Sequence, residues 1–243
     1  PRLAAGRGGL SAGYKPVTYF GIEAELGTPE ELKAMVDRAH SLGIAVFMDV
    51  VWNHTSPSDN LLNQFDGTQV YYGSPEQDTP WGWQLNFQNE NVRSYILDSA
   101  RMWMEEYRLD GFRVDATDFM NIPGSPQEGA GWTLMQALNT QKRNRYAERH
   151  MIAEQLPNDN WVTRPTSLGG AGFDSQWHDN FTDRLRENII AAAFGDPNMG
   201  AIAGIINGSG QYLENQQVVN YLELHDEVWP SSGGQRIVKT IDP

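Results

Sequence analysis

Residues 44–51 read IAVFMDVV, a nearly continuous apolar run interrupted by one carboxylate, Asp49. Such a run is typical of a parallel β-strand that is covered on both faces. Just before it, residues 28–31 read TPEE, a capping box with proline at the first helical position. This start signal predicts a helix that ends at Gly43. A helix that leads directly into a buried strand is the basic unit of α/β folds.

Outward from this stretch, short apolar segments alternate with longer helical segments. Further strands are predicted at residues 14–20, 111–115, 151–154, 172–177 and 218–222, and further helices at 91–107, 132–149, 179–194 and 199–207. This alternation indicates βαβ units and a parallel sheet. About six units can be distinguished, whereas a TIM (β/α)8-type barrel has eight. We therefore expect an α/β fold, a barrel fragment that lacks one unit at each end.

The whole chain, residues 1–243, is predicted to form one partial (β/α)-barrel catalytic domain. Residues 52–89 are expected to be an extended loop on its catalytic face, because structureless stretches of this length are either functional or disordered and the tryptophans here favour function. Aromatic rings on that face can stack on sugars. The candidates are Trp52, Trp81, Trp83 and Trp229.

The composition excludes several classes of function. The chain has 243 residues, 40% of them hydrophobic, and a net charge of −13 at pH 7. An acidic surface repels phosphate backbones and anionic lipid head groups, so neither nucleic acid nor a membrane is an expected partner. The absence of cysteine excludes disulfides, thiolate zinc sites and cysteine nucleophiles. Since the sequence starts at Pro1 without a signal-peptide pattern, we interpret it as part of a longer chain and expect a cytoplasmic location.

Four carboxylates lie in or just after the carboxyl-terminal end of a predicted strand. They are Asp49, Asp115, Glu154 and Asp226. In a barrel these strand ends converge on one face, which carries the active site. A carboxylate in an apolar strand is costly unless it is paired, so the common position indicates a common purpose. Asp115 and Glu154 lie on successive strands and could provide the two carboxyl groups, roughly 5–5.5 Å apart, that retaining glycoside hydrolysis requires.

Around these carboxylates, four segments resemble the conserved regions of glycoside hydrolase family 13, the α-amylase superfamily. In order they are DVVWNH (49–54), GFRVD (111–115), IAE (152–154) and LHD (224–226). Each segment alone is weak evidence, but four in this order, each on a predicted strand, are specific. The resemblance extends from about residue 14 to residue 239. It implies a (β/α)8 barrel that acts on an α-glucan such as glycogen, starch or a maltooligosaccharide.

The resemblance also implies three catalytic residues. Asp115 would be the nucleophile that forms a covalent glycosyl-enzyme. Glu154 would be the general acid/base, which requires a raised pKa. Asp226 would grip sugar hydroxyls and stabilise the oxocarbenium-like transition state.

Four further residues are implied to bind the substrate. Tyr14 would stack under the sugar at the cleavage point, and His54 and His225 would bond to its hydroxyls. Arg113, two residues before Asp115 on the same face of the strand, would keep that carboxylate ionised.

Two residues are implied to support the others. Asp49 would support His54 and Arg113. Asn53 matches a calcium ligand of true α-amylases, but no convincing partner set lies near it, so neither a metal nor a cofactor is predicted. Leu224 departs from the pattern, because a small polar residue usually precedes the family's histidine.

Within the family, the segments GYKPVTYF, GTPEELKAMVDRAH and PWGWQLNF are most similar to 1,4-α-glucan branching enzymes, which transfer the cleaved chain to a 6-hydroxyl instead of to water. Hydrolysis of the α-1,4 bond is the alternative. A metal-dependent barrel hydrolase would need closely spaced histidines, whereas the five here are scattered. A carbohydrate-binding barrel without catalysis would be favoured by the loss of Asp115 or Glu154, and both are present.

Plainer interpretations exist for single residues. Arg113 and Asp115 could form a structural ion pair, and Glu154 could cap a helix. The four segments together argue against both interpretations.

Overall fold

The computed structural model describes residues 2–3, 13–58, 60, 62–72, 78–207, 212, 214–228 and 234–241. The strands are β1 (Arg2–Leu3), β2 (Pro16–Thr18), β3 (Phe47–Val50), β4 (His54–Thr55), β5 (Asp78–Thr79), β6 (Gly82–Gln84), β7 (Gly111–Val114), β8 (His150–Ala153), β9 (Ser175–Trp177) and β10 (Val218–Val219). The helices are α1 (Pro29–Ser41), α2 (Glu90–Glu105), α3 (Ala130–Arg145), α4 (Asp179–Ala193), α5 (Met199–Ile206), α6 (His225–Val228) and α7 (Ile237–Ile241). Among the described residues, no helix is long and apolar enough to cross a membrane.

The central element is a five-stranded parallel sheet in the order β10-β9-β8-β7-β3. Its register pairs Asp49 with Arg113 and Val114 with Ala153. Asp115 and Glu154, one residue beyond the second pair, therefore leave the sheet at the same level. The sheet thus brings the ends of β3, β7 and β8 together on one face.

Helix α1 begins as the capping box predicts. The Thr28 hydroxyl accepts from the Glu31 amide at 3.2 Å, and the Glu31 carboxylate accepts from the Thr28 amide at 2.8 Å. The helix ends at Ser41, and Gly43 follows in the left-handed conformation at φ +73°. The predicted start is therefore confirmed, and the end lies two residues earlier than expected.

The core forms between helix α2 and the sheet. Val92, Ile96 and Trp103 recur at helical spacing on one face of α2 and are buried, as expected of a helix that packs one apolar stripe against a sheet. All four residues of β7 are buried, because this strand lies inside the sheet. A side chain at Gly111 would place its Cβ 1.9 Å from the carbonyl oxygen of His150, so glycine permits the close pairing of β7 with β8.

Two predictions about strands are wrong. The segment 14–20 contains only the short strand β2, which pairs antiparallel with β1 and does not join the parallel sheet. Pro16 instead accepts a hydrogen bond from the Ser56 amide at 2.8 Å, which ties β2 to the loop after β3. Strand β3 lies at the edge of the sheet and is not covered on both faces, because Phe47 on one face is 41% exposed.

The described residues between positions 52 and 89 are more ordered than an extended loop. They contain a three-stranded antiparallel sheet in the order β4-β6-β5, with His54 opposite Gln84. Of the tryptophan candidates, Trp52 is a core residue at 1% exposure, which contradicts a sugar-stacking role, whereas Trp81 is 41% exposed. Trp229 lies outside the described residues.

Candidate active site

Arg113 lies at the centre of the predicted site. Its Nη1 donates to Asp49 Oδ1 at 2.7 Å and to Asp115 Oδ1 at 2.8 Å, and its Nη2 lies 2.7 Å from Glu154 Oε2. The side chain is buried. Burial lowers the pKa of Arg113, but the charges of the three carboxylates outweigh it and raise the pKa above its ordinary value. One buried cation therefore joins carboxylates from three strand ends.

The alternation of a β-strand explains this arrangement. Arg113 and Asp115 are two residues apart, so their side chains point to the same face of β7. Phe112 and Val114 point the other way and are fully buried in the core. The parallel register then places Asp49 of β3 beside Arg113. The same guanidinium also stacks on the ring of Trp177, at 4.2 Å from its centroid.

Asp115 is held from two sides. Its Oδ1 accepts from Arg113, and its Oδ2 accepts from the Asn53 amide nitrogen at 3.0 Å. The same nitrogen donates to the Asp115 backbone carbonyl at 2.8 Å. With a donor on each oxygen, the carboxylate keeps one orientation. The structure thus gives Asn53 a direct contact to the predicted nucleophile.

Glu154 lies in a different environment from Asp115. Burial raises its pKa to about 7, the charges of Asp115 and Asp226 add to the rise, and Arg113 opposes it. Its Oε2 accepts from the Ala116 amide at 2.7 Å. Ala116 adopts a left-handed φ of 39°, which is uncommon for a residue with a side chain and is typical of functional sites. A carboxyl group that holds its proton near neutral pH is suited to general acid catalysis.

Tyr14 connects two parts of the site. Its hydroxyl donates to Asp49 Oδ2 at 2.6 Å, and its ring stacks on His225 with centroids 5.2 Å apart and planes 13° apart. Its backbone carbonyl accepts from His54 Nε2 at 2.9 Å. The expected support of His54 by Asp49 is therefore indirect. His54 is held by Tyr14 and by a contact of its Nδ1 with Asn53 Oδ1, and burial lowers its pKa.

His225 and Asp226 lie on a different kind of element than predicted. They do not continue a strand, because β10 ends at Val219 and the two residues begin helix α6. His225 Nε2 lies 3.3 Å from Asp226 Oδ2, and the two side chains are 43% and 63% exposed. Although strand β10 ends before these two residues, both of their side chains line the cavity that contains Asp115 and Glu154.

A cavity of about 410 Å³ collects the predicted residues. Its walls include Tyr14, His54, Asp115, Glu154, His225 and Asp226. Arg113, Asp49 and Asn53 stand behind these walls and contact them. A larger cavity of about 750 Å³ beside helix α1 contains neither Asp115 nor Glu154 among its lining residues, so the smaller one is the candidate active site.

Several residues of this cavity were not expected from the sequence, namely Ala116, Asp118, Phe119 and Leu156. Three of them lie within four residues after Asp115, and one lies two residues after Glu154. A position just beyond the end of a strand could therefore have predicted them. Trp177 beneath Arg113 carries the same signal, because it ends strand β9.

No group of three or more metal-ligating side chains occurs in the part of the chain that the structure describes. The amide nitrogen of Asn53, the residue that matched a calcium ligand, is engaged by Asp115.

Comparison with known proteins identifies the family. Residues 9–79 and 66–165 match the family described as Alpha amylase, catalytic domain. The chain belongs to the α-amylase family. The predicted membership of glycoside hydrolase family 13 and the predicted TIM-barrel fold are thereby confirmed. The five parallel strands form part of such a barrel, and the chain is a member of a family of glycosidases and transglycosidases.

Individual α-amylase relatives cover nearly the whole chain. A malto-oligosyltrehalose trehalohydrolase from Saccharolobus solfataricus is 29% identical over 95% of this chain and 43% of its own length. A 1,4-α-glucan-branching enzyme 2-2 from Arabidopsis thaliana is 31% identical over 89% of this chain and 29% of its own length. The structure of a maltogenic α-amylase from Thermotoga neapolitana is 20% identical with a TM-score of 0.63, covering 88% of this chain and 46% of that one. The chain spans less than half the length of each.

Proposed function

We propose that this chain carries the retaining catalytic centre of an enzyme that cleaves α-1,4-glucosidic bonds in α-glucans and transfers the cleaved chain to a 6-hydroxyl, as 1,4-α-glucan branching enzymes do. The observation that supports it best is the contrast between two neighbouring carboxylates. Asp115 accepts a donor on each oxygen, whereas burial raises the pKa of Glu154 to about 7. Environments that separate two carboxylates in this way assign one as nucleophile and the other as acid.

In the first step, an Asp115 oxygen attacks the anomeric carbon while Glu154 gives its proton to the departing glucosidic oxygen. The carbon–oxygen bond to the leaving chain breaks as the glycosyl-enzyme ester forms. In the second step, Glu154 takes a proton from the acceptor hydroxyl, whose oxygen attacks the same carbon and releases Asp115. Arg113 contacts both carboxylates. Its positive charge can therefore stabilise Asp115 before the ester forms and Glu154 after it has given up its proton.

The remaining wall residues would position the sugar. Tyr14 and His225 present stacked rings, and Asp226 presents an exposed carboxylate to the cavity. A sugar ring packs its apolar face on aromatic rings and donates its hydroxyls to carboxylates. His54 also lines the cavity, but it would bond to a hydroxyl only by giving up its contact with the Tyr14 carbonyl or with Asn53.

Transfer is favoured by the sequence similarity to branching enzymes, one of which is 31% identical over 89% of this chain. Hydrolysis is the second candidate. It is favoured by the similarity to a trehalohydrolase, 29% identical over 95% of this chain. Both use the same glycosyl-enzyme, so they differ only in the oxygen that completes the reaction.

Incubation of the full chain with amylose separates the two. Transfer predicts α-1,6 branch points, measured by proton nuclear magnetic resonance and by new chains after debranching, without a matching rise in reducing ends. Reducing ends without branches would remove the transfer proposal and leave hydrolysis. Neither product, in a folded protein, would contradict both. The Glu154→Gln variant is the matched control, because it keeps the shape of the site without the acid.

A chelator tests the metal-dependent alternative. We expect activity on amylose to be unchanged after treatment with a chelator of divalent cations, because Asp115 and Glu154 need no metal for the steps above. Complete loss of activity, restored by a divalent cation, would favour the metal-dependent barrel hydrolase instead.

A further inference from the structure

Trp177 is a residue of the site to which the mechanism above gives no role. It is the last residue of strand β9 and is half-buried. Its ring lies under the guanidinium of Arg113, whose central carbon is 4.2 Å from the ring centroid. The ring of Tyr14 is further from the same carbon, at 5.8 Å. Trp177 is therefore the closer of the two rings that face the cation between the carboxylates proposed to react.

The register of the sheet places Trp177 at the level of those carboxylates. Ala153 pairs with Val114 on one side and with Gln176 on the other. The residues that follow these three, one in each strand, are Asp115, Glu154 and Trp177. The ring therefore leaves the sheet at the same level as both carboxylates, and from there it contacts Arg113.

Trp177 has supports of its own. Its carbonyl accepts from the Asn158 side-chain amide at 2.6 Å, and the strand pairing sets it beside Val219. Its ring meets that of Tyr221 with centroids 5.7 Å apart, and that of His225 edge to face at 6.3 Å. None of these contacts involves a carboxylate. They therefore stay the same when the charges of the reacting groups change.

The hydrogen bonds of Arg113 that the structure describes come from one of its nitrogens. Nη1 donates both to Asp49 and to Asp115. Nη2 lies 2.7 Å from Glu154 as an ion pair, but among the described residues neither it nor Nε has a partner in hydrogen-bonding geometry. The hydrogen bonds therefore allow the guanidinium to turn about Nη1. The ring of Trp177 lies against the face that such a turn would move.

The proposed reaction changes the charges beside this guanidinium. Before the first step, Asp115 carries the negative charge and Glu154 holds its proton. In the glycosyl-enzyme, Asp115 is an ester and Glu154 is ionised. A guanidinium that is free to turn would follow the charge towards Glu154. It would then stabilise the ionised carboxylate and make it a weaker base for the acceptor hydroxyl.

We propose that Trp177 is a positioning residue, whose ring keeps the Arg113 guanidinium in place while the negative charge passes from Asp115 to Glu154. A cation on an aromatic face loses attraction when it moves off the ring. The inference rests on the proposed function, because the charge passes in this way only if a glycosyl-enzyme forms. It goes beyond that function by predicting that the second step, and not the first, depends on the ring.

The substrate α-maltotriosyl fluoride separates the two steps in the full chain, because its fluoride leaves without a proton from Glu154. Rapid-quench measurement of fluoride release reports formation of the glycosyl-enzyme. Mass spectrometry of the maltotriosyl group on the protein reports its breakdown. In Trp177→Leu, breakdown should slow about tenfold, as expected for the loss of a desolvated cation–π contact. Formation should stay within about threefold of wild type.

Two variants serve as controls. Trp177→Phe keeps an aromatic face under Arg113 and should restore breakdown to within about threefold of wild type. Trp161 forms a pair of the same kind with Arg164, at 4.3 Å, and neither residue is among those that line the active-site cavity. Trp161→Leu should therefore change neither step. If circular dichroism shows that Trp177→Leu is unfolded, Trp177→Met takes its place, because methionine is unbranched and fills irregular space.

Three outcomes would overturn the assignment. If formation slows in Trp177→Leu as much as breakdown or more, the ring supports the whole site and not the second step. Unchanged breakdown would mean that Arg113 keeps its place without the ring. Breakdown as slow in Trp177→Phe as in Trp177→Leu would exclude the aromatic face as the cause. In each case wild type still forms the glycosyl-enzyme, so the proposed function stands.

Failure of the proposed function has a different signature. A folded wild type that releases no fluoride and carries no maltotriosyl group would contradict the glycosyl-enzyme itself. The role of Trp177 would then fail with it, because no charge would pass beside Arg113.

Discussion

The two parts of the active site are held in different ways. At the ends of β7 and β8, the side chains of Asp115 and Glu154 are each 11% exposed and both contact the buried Arg113. After β10, the side chains of His225 and Asp226 are 43% and 63% exposed, and a ring stack on Tyr14 connects them to the rest of the site. The first part is a buried ion network on central strands, and the second is an exposed helix start.

From this difference we expect the buried part to carry out the proposed reaction and the exposed part to bind the sugar. Buried charges must be paired and hydrogen-bonded in good geometry, so the network that carries the two carboxylates proposed to react has little freedom to rearrange. An aromatic pair contributes only about 0.5–1.5 kcal/mol beyond its buried area, so the second part can adjust at little cost. We expect substitutions in the ion network to affect both stability and turnover, and substitutions after β10 to affect turnover alone.

The largest expected effect is on turnover, in the ion network. Asp115→Asn and Glu154→Gln should each reduce the rate of amylose cleavage by at least about a thousandfold, because each removes a group proposed to react. Product formation from amylose measures the loss, and circular dichroism checks that each variant is folded. Full activity in either folded variant would contradict the assignment.

The next effect is on stability. Arg113→Ala leaves three carboxylates without their shared cation and should lower the free energy of unfolding by about 3–5 kcal/mol. Urea unfolding measures it, with Arg101→Ala as the control. Arg101 forms an exposed pair with Asp98 and should cost less than about 1 kcal/mol. Equal losses in the two variants would mean that the network does not stabilise the fold.

The raised pKa of Glu154 predicts that kcat/KM depends on pH. Because burial raises its pKa to about 7, kcat/KM for maltopentaose should fall about tenfold per pH unit above that value, as the acid loses its proton. Maltotriosyl fluoride needs no protonation of its leaving group and should lack this alkaline limb. A limb shared by both substrates would assign the titration to another group.

The same pKa has a consequence for stability. The folded state holds the Glu154 proton more tightly than the unfolded state, so its contribution is fully present below the ordinary value of 4.5. It is lost as the pH rises to about 7. Urea unfolding between these values should show a downward slope that is smaller in Glu154→Gln.

The smallest effects are expected where the two parts meet. Tyr14→Phe removes the hydrogen bond to Asp49 but keeps the stack on His225, and should cost about 1 kcal/mol of stability. His225→Ala should change stability by less than that, since the side chain is 43% exposed, and yet reduce turnover of maltopentaose. If His225→Ala destabilised the chain more than Arg113→Ala, the contrast between the two parts would be wrong.

The strands of the parallel sheet and the positions of its carboxylates could be predicted from the sequence. Apolar runs that end in a charged residue, as at Asp115 and Glu154, are a local signal with a physical reason, since an unpaired charge is not tolerated inside a sheet. The alternation of β7 also predicts that Arg113 and Asp115 share a face. The helix start at Thr28 follows from its capping box.

The remaining features depend on contacts that are distant in sequence. Residues 14–20 were predicted to be a strand of the parallel sheet, but β2 pairs with β1 and its Pro16 carbonyl accepts from the Ser56 amide. Asp118 received no role, because its place in the cavity depends on the turn at Ala116 and on the hydrogen bond from Gln84 to the Phe119 carbonyl. Such effects have no periodicity that a sequence pattern could reveal.

The sequence by itself determined the family and the α/β class, and it predicted the strand ends that carry the candidate site, since these follow from local patterns and from motifs. Only the tertiary structure decided how those residues are held. It placed Arg113 against three carboxylates, and it brought the Asn53 side chain within hydrogen-bonding distance of Asp115. It also placed Asp115 and Glu154 in different environments. The reason is that pairing, burial and pKa depend on which strand ends meet, and parallel neighbours are joined only through long connections.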